Sequence, residues 1–134
     1  MDTQRAVAKD ELVGQLEEAR RRTRWLLRTV SEEDLSKQHA PIMSPLIWDY
    51  GHIGNYEELW LLEKAFGKSL SNRTLYDMYD ASLHPREERP SLDLLDREGA
   101  DLYLDAVRGG CSKRSKLPTS KARIRCWEAA SSTT

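Results

Sequence analysis

No stretch of this 134-residue sequence approaches the ~20 consecutive apolar residues that span a bilayer. Its start, MDTQRAVAKDELVG, has no apolar segment of the secretory kind. Neither a membrane role nor export is expected, and the cytoplasm is the expected address. Cysteine is scarce. Cys111 and Cys126 both lie near the carboxy terminus outside any CxxC spacing, so they suggest neither a disulfide framework nor a zinc site. Histidine is scarcer than metal chemistry wants: His39, His52 and His84 include no pair spaced four apart, the spacing that puts two imidazoles on one helix face. The chain is long enough for one core and too short for a helical domain plus a separate catalytic domain.

What is present is charge and helical periodicity. Charged residues make up 32% of the chain, which gives a soluble protein with many solvated helix faces. The near-neutral total of −1 hides an asymmetry. Residues 1–108 carry 15 Lys/Arg against 21 Asp/Glu, whereas residues 109–134 carry 6 against 1. An acidic body offers no extended basic face, so no nucleic-acid partner is expected.

From Asp10 to Val30 the positions Leu12, Val13, Leu16, Ala19, Thr23, Leu26, Leu27 and Val30 recur at steps of three and four, predicting an amphipathic helix with Asp10 as N-cap. Its late arginines, Arg20, Arg21, Arg22, Arg24 and Arg28, suit a helix carboxy end and read as a solvated face. Ser31–Leu35 reads as a short capped turn. Ser44-Pro45 predicts the cap and first residue of a second helix that runs to about Phe66 and closes at Gly67. That helix is apolar or aromatic over most of its circumference, which predicts a central place in a bundle. Residues 68–90 show no helical period and read as a long connection pinned by Leu75, Tyr76, Met78 and Tyr79. A third helix is predicted from Pro90-Ser91 or Asp96 to Gly109-Gly110, after which residues 111–134 have no usable period.

His52 lies in the second helix among Trp48, Tyr50, Tyr56 and Trp60, with Gly51 and Gly54 beside it. Each glycine costs up to ~1 kcal/mol against alanine in a helix interior, so tight packing or a group needing space must compensate. A hydrogen-bonded core histidine and a metal ligand are both compatible with this setting, since one imidazole does not define a metal site. Asp49 and Glu57 are conceivable partners of the ring, although Glu57 and Glu58 read first as solvated charges. His39 and His84 read as surface histidines. Arg86 and Arg89 form an R-x-x-R pair that could grip a carboxylate bidentately, or could be engaged by the glutamates between them.

The run from Gln38 to Leu62, QHAPIMSPLIWDYGHIGNYEELWLL, together with Leu75-Tyr76-Asp77 and His84–Pro90, resembles the DinB-like domain that opens the iron-dependent sulfoxide synthases of ergothioneine biosynthesis. The resemblance covers about residues 10–108. It implies an all-α fold: about three helices of an up-down four-helix bundle over residues 1–110, followed by a basic, disordered or frameshifted tail over 111–134. It implies that His52 matches the first of three histidines holding a mononuclear non-haem iron, and that Arg86 and Arg89 match arginines gripping the carboxylates of a cysteine-derived thiol substrate. The family's other two ligands lie on a later HxxxH helix, and its catalytic tyrosine on a further domain; neither has a counterpart here. Weak or no Fe(II) binding is therefore expected of this chain alone, and no catalysis.

The tail fits a shifted reading frame. If Gly110–Lys116 is encoded by GGG TGT TCG AAG CGC TCG AAG, reading two bases later gives V-F-E-A-L-E, an amphipathic helical start. Two roles are thus expected: an inactive amino-terminal fragment of an enzyme that joins the thiol to trimethylated histidine, or a stand-alone helical interaction module that self-associates through exposed apolar surface.

Overall fold

A computed structural model describes residues 2–68, 71 and 73–111 of the chain. The described residues are helical and contain no strand, as the all-α expectation requires. Most of the predicted tail, from residue 112 on, lies outside them. No described helix is long and apolar enough to cross a membrane. The chain divides into two compact units, Met1–Ser31 and Glu32–Thr134.

The first unit is one helix, α1 (Asp2–Leu27). It starts eight residues before the predicted cap, so Asp10 lies inside it. The reason is local: Thr3–Lys9 contains good helix formers and neither Gly nor Pro, so nothing stops the helix propagating backwards. Arg21, Arg22 and Arg28 are exposed as a solvated face requires, whereas Arg20 is buried. Arg21 and Arg22 both hydrogen-bond Glu18 at one-turn spacing, and Arg28 lies over the Trp25 ring at 5.2 Å.

The second unit opens with the short helix α2 (Glu32–Leu35), the predicted turn, whose Leu35 is buried. The predicted second helix is present as α3 (Leu46–Glu57), continued by a wider, π-helical stretch (Glu58–Lys64) and ending at Gly67, which adopts φ +65°. Ser44 does not cap it. Pro45 takes the N-cap place with no side-chain cap, and Ser44 Oγ instead accepts a hydrogen bond from Arg89 Nη1 at 2.6 Å. The connection that showed no helical period contains α4 (Arg73–Met78), a helix too short to leave a periodic trace. Its Leu75 and the following Tyr79, four apart, are buried. Pro90-Ser91 belongs to a 3-10 turn (Arg89–Ser91), and α5 (Arg97–Cys111) begins after Asp96, whose Oδ1 accepts the Gly99 N–H at 2.7 Å.

The core of this unit lies between α3, its π-helical continuation and α5. Trp48, Tyr50, Leu62, Tyr79, Tyr103, Leu104 and Val107 are among its buried apolar side chains. Both glycines of α3 are explained by close approach. A Cβ on Gly51 would collide with the edge of the Tyr79 ring at Cε1, and one on Gly54 would lie 2.6 Å from Leu104 Cδ1 and 2.9 Å from Tyr103 Cε1. The helix is not buried all round, however: Ile53, Tyr56 and Trp60 remain exposed.

Candidate functional site

Three side chains of α3 reach three carbonyls at the end of α4. Asn55 Nδ2 donates to Tyr76 O at 3.0 Å, Trp48 Nε1 to Met78 O at 3.0 Å, and His52 Nδ1 to Tyr79 O at 2.7 Å. Met78 and Tyr79 are successive residues, while Trp48 and His52 are one helical turn apart. The end of α4 therefore receives two parallel rings from one face of α3. The Trp48 and His52 rings stack, with centroids 4.7 Å apart and planes 18° from parallel, and the Tyr56 ring lies 4.4 Å from His52 on the next turn.

The hydrogen bond to Tyr79 decides the protonation pattern of the imidazole. A carbonyl can only accept, so Nδ1 carries the proton and, in the neutral ring, Nε2 carries the lone pair. Nε2 has no hydrogen-bond partner among the described residues, and His52 is half-buried. This is how a metal-ligating histidine is prepared: one ring nitrogen is tied to a backbone carbonyl and the other is left to coordinate. The hydrogen bond is the first of the two alternatives that the sequence left open, and it leaves Nε2 unoccupied by any described group. A single ligand fits here; a complete set does not, because the described residues contain no group of three or more His, Cys, Asp or Glu side chains able to hold a metal. His39 is exposed, its Nε2 on Asp34 O at 2.9 Å, and His84 faces Glu88 at 3.4 Å.

The two arginines of the R-x-x-R pair part company. Arg89 is buried. Its guanidinium lies 3.8 Å over the Trp48 ring, Nε donates to His84 O at 2.9 Å, and Nη1 donates to Ser44 Oγ. Burial, and then the neighbouring Arg86 cation, pull Arg89 below the usual arginine value. Arg86 is exposed, and its guanidinium has no hydrogen-bond or ion-pair partner among the described residues. Neither arginine is engaged by the intervening glutamates. Asp49, which feels Arg89, His52 and Arg86, is raised above the usual carboxylate range by desolvation.

Glu57 and Glu58 are not solvated charges. Glu57 pairs with Arg108 of α5 at 2.8 Å. Glu58 is fully buried where the helix widens, and it accepts the Ser71 N–H at 2.9 Å, the Ser71 hydroxyl, and the Tyr103 hydroxyl at 3.0 Å. Desolvation, and then Glu58, push the Tyr103 phenol far up. The sequence marked none of Trp48, Asn55, Glu58, Tyr79 or Tyr103 as a partner of another group. Only the two glycines beside His52 signalled that something approaches closely there.

A helical unit built on a central aromatic helix with one prepared imidazole defines the class: the chain belongs to the DinB superfamily, whose family model matches residues 15–116. Within it, the chain is similar to proteins named hercynine oxygenase. It is 43% identical over 102 residues to that of Mycolicibacterium thermoresistibile, 40% over 106 residues to that of Mycolicibacterium smegmatis, and 41% over 103 residues to that of Mycobacterium tuberculosis. These alignments cover 73%, 76% and 74% of this chain, and 22%, 24% and 24% of the relatives. The chain thus spans about a quarter of the length of the curated relatives it matches.

Proposed function

We propose that this chain is the amino-terminal helical part of a hercynine oxygenase of ergothioneine biosynthesis, contributing His52 as one ligand of a non-haem iron and having no catalytic activity alone. The observation that carries this reading is the His52 ring, with Nδ1–H held by the Tyr79 carbonyl and Nε2 left as a free donor. The similarity to hercynine oxygenases over three quarters of the chain supports it. Bound iron supplies oxidative carbon–sulfur bond formation with dioxygen in the intact enzyme. The part played by this chain is narrower. Tyr79 and Trp48 orient the imidazole. Arg86 and Arg89 grip the carboxylates of the cysteine-derived thiol.

A chimera tests this. Residues 15–108 of this chain replace the matching segment of the Mycolicibacterium thermoresistibile relative, and C–S bond formation between the thiol and trimethylated histidine is followed. The expected result is turnover in the chimera and at least a hundredfold loss with His52→Ala. A well-folded chimera that is inactive, or one indifferent to His52→Ala, overturns the reading.

A further inference from the structure

Arg89 is held by the surrounding fold, whereas the Arg86 guanidinium is not. Two of its three nitrogens are engaged, Nε by the His84 carbonyl and Nη1 by Ser44 Oγ, and its Cζ lies 3.8 Å over the Trp48 ring. The His52 imidazole also stacks on Trp48, with centroids 4.7 Å apart and planes 18° from parallel, and a guanidinium 3.8 Å over the same ring would overlap it on one face, so the two flank the indole. Trp48 is itself buried and tied through Nε1 to Met78 O, the carbonyl next to the one that holds His52.

We infer that Arg89 is a positioning residue: it clamps Trp48 from one side so that the indole holds the His52 ring in the plane that directs Nδ1–H to Tyr79 O and leaves Nε2 as the donor. The inference deepens the proposed function, since it assigns a role around the same histidine, but the physical chain can be followed without metal or turnover. Stacking restricts rotation of the imidazole about its Cβ–Cγ bond, and only a restricted ring keeps a 2.7 Å bond from Nδ1 to a carbonyl. Removing the guanidinium removes the cation–π contact and both anchors at once. Trp48 can then tilt, and the imidazole is free to exchange its proton between nitrogens.

The test is the tautomer of His52, read from the two imidazole nitrogen resonances of the full chain by NMR at about pH 8.5, well above the ordinary histidine value of about 6.5. In the native chain Nδ1 is expected in the protonated, pyrrole-like region and Nε2 in the lone-pair, pyridine-like region. Arg89→Met is expected to bring the two resonances together towards their average, and Arg86→Met to leave them apart. A folded Arg89→Met protein that keeps the native His52 pattern overturns the inference, reducing Arg89 to a tether of the 84–91 loop. If Arg89→Met does not fold, Ser44→Ala and Arg89→Lys are read in the same way; convergence in them supports the inference, and a native pattern in both overturns it. An inactive chimera with a native His52 pattern would count against the proposed function and leave the role of Arg89 standing.

Discussion

The Tyr79 ring occupies the space that a side chain at Gly51 would fill, while the carbonyl of the same tyrosine holds Nδ1 of the adjacent His52. One residue thus sets both how closely α4 approaches α3 and which nitrogen of the histidine is free. Gly51→Ala should therefore cost stability despite alanine's better helix propensity. Overpacking of a filled core costs about 1–3 kcal/mol, against a propensity gain of up to ~1 kcal/mol. Urea unfolding should show a lower midpoint, and the His52 resonances should move with it. A midpoint at or above the native value would mean that Tyr79 can shift aside freely.

Glu58 offers a second handle. Its carboxylate takes hydrogen bonds from Ser71 and Tyr103 inside the core, so Glu58→Ala strands buried donors, each worth about 1–3 kcal/mol when left unpaired. Glu58→Gln keeps the shape and should cost less. Equal losses for the two variants, measured by denaturant unfolding, would show that the cavity rather than the lost acceptor dominates.

Between α3 and α5, the Arg108–Glu57 pair is largely shielded, with side chains 21% and 15% exposed. A double-mutant cycle to alanine at both positions should give a coupling of about 1 kcal/mol. The Arg21–Glu18 pair on α1, at 68% and 45% exposure, should give no measurable coupling. Similar couplings for the two would contradict the view that burial makes the difference.

Alkali should unfold the chain early. Burial pushes the Tyr79 and Tyr103 phenols far above their usual range, and desolvation with Glu63 raises Tyr76 to about 12. The sign follows from proton linkage. Above about pH 10 the unfolded chain loses phenol protons that the folded chain keeps, so stability is full below that pH and falls as pH rises through the folded values. Thermal unfolding followed from pH 8 to 12 should show the decline beginning near 10, and Tyr103→Phe should make it shallower. An unchanged slope would remove Tyr103 from the linkage.

Ferrous ion should bind the isolated chain weakly, because one imidazole supplies one bond where a mononuclear site needs several. Anaerobic titration should show low affinity, lowered further by His52→Ala. Tight one-to-one binding that depends on His52 would mean that further ligands come from elsewhere in the chain or from a second copy.

Local rules carried the reading of the helices. Apolar steps of three and four marked α1, a run apolar over most of its circumference marked α3, Gly67 marked the end of the α3 continuation, and Asp96 was one of two starts offered for α5, because caps and periodicity act within one turn of chain. The same rules failed where a local preference met a distant partner. Ser44 was a fitting cap for α3 until Arg89, 45 residues away, claimed its hydroxyl. Glu58 read as solvent-facing because Ser71 and Tyr103 lie 13 and 45 residues off. The sequence alone determined that the chain is helical, that His52 stands on the aromatic central helix, and that Gly51 and Gly54 make room beside it. Only the tertiary structure decided which nitrogen of His52 is left free, that Arg89 is buried while Arg86 is exposed, and that Tyr79 fills the gap at Gly51. A stacking plane or a hydrogen bond to a backbone carbonyl depends on where remote segments come together, and no pattern within a single helix encodes that.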